Sequence, residues 1–146
     1  MKKISNLLTL LIIAVLGVLT TACDKNDVVI EAFRSQVQKM CPISVDEVTT
    51  LTSVDFDKEE GAFVYNYTID DAKCPIDELA KHLKTYGANL KAALQAPDAK
   101  SFLDACVERD IKVVYQYTGK GTGQKCWVSY NPSNDKIKSG EGSYDD

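Results

Sequence analysis

Cysteines, one histidine and paired carboxylates are the side chains of this sequence best suited to chemistry. The five cysteines show neither Cys-x-x-Cys nor the paired short spacings of a zinc site, so no redox or metal motif is predicted. His82 flanks the apolar stripe of a predicted helix and is expected at the surface. Three carboxylate pairs fit ordinary positions in a turn, at a strand end and in a first helical turn. These are Asp46 with Glu47, Asp70 with Asp71, and Asp77 with Glu78.

A glycine-rich segment at 119–123 (GKGTG) has the composition of a phosphate-binding loop. It lacks the spacing to a Gly-Lys-Ser/Thr ending, and it joins two predicted strands instead of opening a helix. We therefore interpret it as a flexible turn and predict no catalytic residue, cofactor or metal site in the chain.

The composition indicates one globular domain of average character. The chain has 146 residues, of which 45% are apolar and 26% charged. Its 17 Lys and Arg against 21 Asp and Glu give a net charge of −4, which argues against nucleic acid as a partner.

The N-terminal segment has the pattern of a secretory signal peptide. Lys2 and Lys3 form a positive region, residues 7–19 are almost unbroken apolar residues, and polar residues follow at 24–27. The apolar run is short for a membrane span. We predict a signal peptide over 1–22 and a lipidated cysteine with a short tether over 23–26; a plain secreted protein and an uncleaved anchor are the alternatives.

Residues 19–23 (LTTAC) resemble the lipobox of bacterial prolipoproteins, with small Thr21 and Ala22 before Cys23. Thr20 departs from the usual Leu. The resemblance implies lipidation of Cys23, attachment to a membrane through acyl chains such as palmitate, and a cell-envelope location facing the periplasm or the exterior. The body of the chain, notably 65–69 and 98–103, is similar to small uncharacterised bacterial envelope lipoproteins. This similarity implies a fold and a cellular location, but no activity.

Hydrophobic periodicity predicts the order α-β-β-α-α-β-β in a single domain over 27–130. We expect an α+β fold in which two hairpins form an antiparallel four-stranded sheet with helices on one face. The tail, 131–146, contains Pro, Ser, Gly and charges without an apolar period, and is predicted to be disordered and acidic. The predicted helices are 29–40, 75–94 and 98–107, and the predicted strands are 45–56, 62–69, 111–117 and 126–130.

Four cysteines remain beyond Cys23, and export would favour disulfides, for which three pairings exist. The midpoint of Cys41 and Cys74 falls at the turn between the first two strands, so these two would clamp the open end of that hairpin. Cys106 and Cys126 would form the second bridge. Free buried thiols that pack as small hydrophobic groups are the alternative.

Aromatic residues are the candidate contact surface. Tyr65 and Tyr67 share one face of a strand, as do Tyr115 and Tyr117, and the two pairs would form one patch if their strands were neighbours. Packing of this patch under the helices is the interpretation we favour; Asn66 and Gln116 would then lie on the exposed face. Trp127 alternates with buried positions of the last strand and is a further contact candidate.

The sequence therefore favours a lipid-anchored, non-catalytic binding or accessory module of the cell envelope, with an unknown envelope protein as partner and no cofactor. A small enzyme that uses carboxylates or a thiol, or an inhibitor of a hydrolase, is the alternative.

Overall fold

The computed structural model describes residues 26–146. The predicted signal peptide and the lipidation of Cys23 lie outside these residues and stay predictions. The helices are α1 (Asn26–Met40), α2 (Ile76–Ala80), α3 (Leu83–Leu94) and α4 (Lys100–Arg109), with a 3₁₀ turn at Pro97–Ala99. The strands are β1 (Ile43–Ser44), β2 (Thr49–Asp57), β3 (Ala62–Ile69), β4 (Lys112–Gly119), β5 (Lys125–Asn131) and β6 (Lys136–Glu141).

The strands form one six-stranded mixed sheet in the order β1-β2-β3-β4-β5-β6. Every neighbouring pair is antiparallel except β3 and β4, which run parallel. The α+β class is confirmed, but the prediction of an antiparallel four-stranded sheet is wrong. Both hairpins form. The chain between them crosses one face of the sheet through α2, α3 and α4, and this helical crossover makes β4 run in the same direction as β3.

The C-terminal segment contributes β6, which pairs with β5 from Cys126↔Glu141 to Asn131↔Lys136. The prediction of disorder for 131–146 is therefore wrong. The pattern misleads because an edge strand buries little: Ile137 is the single large apolar residue of β6, and Lys136 and Lys138 are exposed. Lysines on an edge strand hinder further strand pairing, so the same charges that suggest disorder protect the sheet.

The helices pack on one face of the sheet. α1 and α4 lie over the β2–β3 side, where the Phe33 ring stacks on Phe102 at 4.4 Å and Phe63 meets Phe102 edge-on at 4.9 Å between ring centroids. All three rings are fully buried. α3 covers β5 and β6.

Gly87 explains how closely α3 approaches the sheet. A Cβ atom at this position would lie 2.5 Å from Cγ2 of Ile137 and 2.9 Å from Cγ2 of Val128. Glycine in mid-helix costs stability in isolation, yet here it permits contact with β5 and β6. The predicted helix over 75–94 is divided between Ala80 and Leu83 into α2 and α3.

Candidate binding surface

The four tyrosines of the predicted patch are brought together by the parallel pairing of β3 and β4, which aligns Tyr65 with Tyr115 and Tyr67 with Tyr117. Ring centroids are 5.3 Å apart for Tyr65–Tyr115 and 5.2 Å for Tyr67–Tyr117. All four face the helices and are at most 1% exposed. They are core residues, as the favoured interpretation had it, and do not form a contact surface.

The hydroxyl oxygens of Tyr65, Tyr67 and Tyr117 are buried without a hydrogen-bond partner in the structure. Burial raises the pKa of all three well above its usual range, because the phenolate would be stripped of water. Burying these unpaired hydroxyls costs stability, and a ligand in solvent cannot reach them.

Neither predicted disulfide is present among residues 26–146, since Cys41, Cys106 and Cys126 carry free thiols. Residues 43–44 fold back beside β2 with Ile43 opposite Leu51, which carries Cys41 toward mid-sheet, while Cys74 follows the far end of β3. The midpoint argument assumed that both strands extend to the cysteines.

The second predicted bridge is prevented by distance. The Cys106 carbonyl accepts a hydrogen bond from the amide of Ile111, at the start of β4, whereas Cys126 pairs with Tyr117, about 20 Å farther along that strand at 3.3 Å per residue. A disulfide needs Cα atoms within about 7 Å. Burial raises the pKa of Cys106 and of Cys126 to about 12, which is opposite to the shift that activates a nucleophilic thiol.

The predicted carboxylate pairs and His82 lie in ordinary structural positions. Asp46 accepts hydrogen bonds at Oδ1 from the amides of Val48 and Thr49, at 2.9 and 2.8 Å. Glu78 pairs with Lys81 at 2.9 Å on the surface, and His82 is exposed at the start of α3. The described part of the chain contains no group of three or more residues placed to hold a metal ion.

Asp71 explains the glycine-rich loop. Its carboxylate accepts hydrogen bonds from the amides of Gly121 and Thr122 at 2.9 and 3.0 Å and from the Thr122 hydroxyl at 2.6 Å. These bonds hold the pKa of Asp71 below its usual range. The donors that a phosphate would need are thus used by a side chain of the protein, and the loop is a structural turn.

The sheet face opposite the helices, which we call the open face, is the candidate binding surface. The pairing of β2 to β6 aligns one residue from each of these five strands in a row, and the side chains of this row all lie on the open face. The row contains Ser53, Asn66, Gln116, Trp127 and Gly140. Trp127 is half-buried, and a Cβ atom on Gly140 would lie 3.1 Å from its indole nitrogen, so the ring lies across the glycine of β6.

Hydrogen bonds connect the amides of this row. Gln116 donates from Nε2 to Asn66 Oδ1 at 3.4 Å, and Asn66 donates from Nδ2 to Ser53 Oγ at 3.1 Å and to Asp55 Oδ2 at 2.9 Å. The open face is also divided by charge. Asp55 and Asp57 lie on the β2 side, and lysines lie on the β4–β6 side: Lys112, Lys125, Lys136 and Lys138.

Residues 142–146 lie across part of the open face, a feature that was not predicted from the sequence. Tyr144 packs with Trp127 against a small buried cluster of Ala62, Val64 and Val114. Its hydroxyl donates to Asp57 Oδ2 at 2.8 Å, and burial together with this bond raises the pKa of Tyr144. No periodic pattern marks a lone tyrosine after the last strand, so the sequence held no signal for it beyond its residue type.

A second surface feature is a shallow depression of about 440 Å³ beside α1, lined by Val28, Glu31, Ala32, Arg34 and Ser35. Its charged members neutralise each other, because Arg34 and Glu31 form an ion pair at 2.7 Å. No helix among residues 26–146 is both long and apolar enough to cross a membrane.

Comparison with known proteins agrees with this architecture. A Pseudomonas aeruginosa protein of solved crystal structure, described as a "putative secreted protein", is similar in fold with a TM-score of 0.54 and 8% sequence identity, over 77% of this chain and 86% of that one. No curated protein matches the sequence. A family model, described as a domain of unknown function (DUF8479), matches residues 25–127, a range that includes α1 and reaches Trp127 of β5. The chain belongs to the DUF8479 family.

Proposed function

We propose that the protein is exported to the bacterial cell envelope, is held at a membrane by a lipid on Cys23, and acts there as a non-catalytic binding module. The signal-peptide pattern of residues 1–22 and the lipobox-like residues 19–23 support export and anchoring. The fold relative that is described as secreted is consistent with the same address.

The observation that carries the binding role is the difference between the two faces of the sheet. Helices seal one face, whereas the other carries the half-buried Trp127, the hydrogen-bonded amides of Asn66 and Gln116, and four lysines. Tryptophan combines a large rigid apolar area with a polar N–H group, and such residues are enriched at recognition sites. The open face is therefore the surface that a partner would contact.

The chemistry of the thiols supports a non-catalytic role. Cys106 and Cys126 are fully buried, and burial raises the pKa of each to about 12. A thiol in this state is a poor nucleophile at neutral pH. The carboxylates with lowered pKa, such as Asp57 and Asp71, owe the shift to bonds that close turns or hold the tail.

The anchor is tested by the intact mass of the protein from the native membrane fraction. We expect a chain that begins at Cys23 and carries a lipid increment, and a Cys23→Ser variant that lacks the increment and leaves the membrane. A native protein without the lipid mass would refute anchoring and leave the binding role to be judged alone.

The binding role is tested by amine-reactive crosslinking in the native envelope, because the chain supplies its own control. Lys125 and Lys138 lie on the open face, whereas Lys84 and Lys100 are exposed on the helical side. We expect crosslinks to another protein at the first pair in clear excess over the second. Equal crosslinking of both pairs, or none at Lys125 and Lys138, would contradict the proposal.

A further inference from the structure

Three residues on the open face are buried although no helix covers them. Ala62, Val64 and Val114 are at most 1% exposed, and the side chains that pack against them are Trp127 and Tyr144. Tyr144 comes from residues 142–146, which follow the last strand. The cluster is thus the floor of a slot that an aromatic ring fills.

Polar groups around this slot determine which aromatic side chain fits it and how the backbone of the segment carrying that side chain is held. Asp57 Oδ2 accepts from the Tyr144 hydroxyl at 2.8 Å, at the far end of the ring. Gln116 Oε1 accepts from the Tyr144 amide and from the Ser143 hydroxyl, each at 3.0 Å. A phenylalanine would leave the bond to Asp57 unmade, so the slot is chemically suited to tyrosine.

The segment that occupies the slot is attached by few bonds. It leaves β6 through Gly142, whose φ of +84° favours glycine, and the Gly142 amide donates to the Lys125 carbonyl at 2.8 Å. Beyond that point the segment bonds to itself, with the Ser143 amide donating to Asp146 Oδ2 at 3.0 Å, and to Gln116 and Asp57. It can leave the slot without breaking a strand pair, which is typical of a region of low local stability.

We propose that the slot formed by Ala62, Val64, Val114, Trp127, Asp57 and Gln116 is a recognition site for an extended segment of a partner protein that carries a tyrosine. Residues 142–146 occupy the site in the free protein, and the partner's segment displaces them. The lysines on the β4–β6 side of the open face suit a segment with acidic residues beside the tyrosine, as Asp145 and Asp146 are in this chain. This inference rests on the proposed binding function and names the class of partner.

The test is a competition in the full chain. A peptide with the sequence of residues 141–146, EGSYDD, carries a fluorophore at its N-terminus, and its fluorescence anisotropy is followed as the unaltered chain or a Tyr144→Ala variant is titrated into it. A tethered competitor acts at an effective concentration in the millimolar range, so we expect the dissociation constant to be at least about ten-fold lower for the variant.

Two peptide controls define the slot. Replacing the peptide's tyrosine with phenylalanine is expected to weaken binding about five- to ten-fold, which corresponds to one net hydrogen bond, and alanine there is expected to abolish it. If the Tyr144→Ala chain fails to fold, a Tyr144→Phe chain keeps the ring and is expected to bind the peptide about five-fold more tightly than the unaltered chain does.

Equal affinity for the unaltered and the variant chains, or no binding to a folded variant, would overturn the inference. Open-face crosslinks to an envelope protein without peptide binding would refute the tyrosine segment and leave the binding function standing. Peptide binding without such crosslinks would contradict the proposed function, and with it the inference that a partner protein uses the slot.

Discussion

The two faces of the sheet differ in what covers them and in how their polar atoms are satisfied. On the sealed face, three tyrosine hydroxyls are buried without hydrogen-bond partners among the large rings of the core. On the open face, Asn66, Gln116 and Tyr144 are linked by directed hydrogen bonds to one another or to neighbouring strands.

The two kinds of interaction have different effects, since apolar burial provides stability and directed hydrogen bonds provide specificity. Apolar burial stabilises a fold without direction, and a ring that packs well tolerates an unmade hydrogen bond at some cost. Directed bonds between strands fix positions of donors and acceptors, which is what recognition of one partner requires. The sealed face accordingly holds the domain together, and the open face holds the directed hydrogen bonds that the proposed binding role would use.

The largest expected effect is a difference in the free energy of unfolding between variants of two adjacent residues that point to opposite faces. Tyr115→Ala removes a fully buried ring and is expected to lower the free energy of unfolding by about 3–5 kcal/mol. Gln116→Ala removes hydrogen bonds and is expected to cost about 1–2 kcal/mol. Urea unfolding of both variants measures the contrast, and equal losses would show that the faces do not differ in this way.

Next in size is a packing effect at α3. Gly87→Ala should raise helix propensity, yet its Cβ would contact Ile137 and Val128, so we expect a net loss of about 1–3 kcal/mol in the free energy of unfolding. Thr85→Ala, at an exposed site of the same helix, is the control and should change stability little. A more stable Gly87→Ala chain would refute the close approach of α3 to the sheet.

Removing a single tyrosine hydroxyl should destabilise the protein on the open face but not on the sealed face. Tyr67→Phe deletes a buried oxygen without a partner and is expected to leave stability unchanged or raise it by about 1 kcal/mol. Tyr144→Phe deletes the donor to Asp57 and is expected to lower it by about 1 kcal/mol. Thermal unfolding of the two variants decides; a destabilised Tyr67→Phe chain would reveal a partner for that hydroxyl.

The smallest effect is the pH dependence of stability, which should fall at both the acid and the alkaline end. Hydrogen bonds lower the pKa of Asp57 and Asp71 from 3.8, so their contribution is present above that value and is lost as the pH falls through the lowered pKa. Burial raises the pKa of Cys106 from 9.0 to about 12, so its contribution is lost as the pH rises across that range. Urea midpoints at several pH values should show an acid limb that Asp71→Asn flattens and an alkaline limb that it leaves unchanged.

Much of the sealed face could be predicted from the sequence, because alternation of apolar and polar residues has a local cause. The alternation through Tyr65 and Tyr67, and through Tyr115 and Tyr117, predicts both strands and the burial of their rings. The parallel pairing of β3 and β4 has no local signal, since it depends on the path of three helices between them. The fold-back of β1, which separates Cys41 from Cys74, is likewise set by tertiary pairing.

The open face was predicted in part. Asn66, Gln116 and Trp127 follow from the same alternation, and the structure places all three in one row. β6 and Tyr144 were missed because an edge strand rich in lysine and a tyrosine beyond it bury too few apolar residues to produce a period.

The claim that the open face is the working surface is tested most directly by footprinting. Hydroxyl-radical modification is compared residue by residue between the protein in its native envelope and the purified protein. We predict protection of Trp127 and of the neighbouring open-face residues of β4–β6 in the envelope, with unchanged modification on the exposed sides of α3 and α4. Protection on the helices with an unprotected Trp127 would contradict the account.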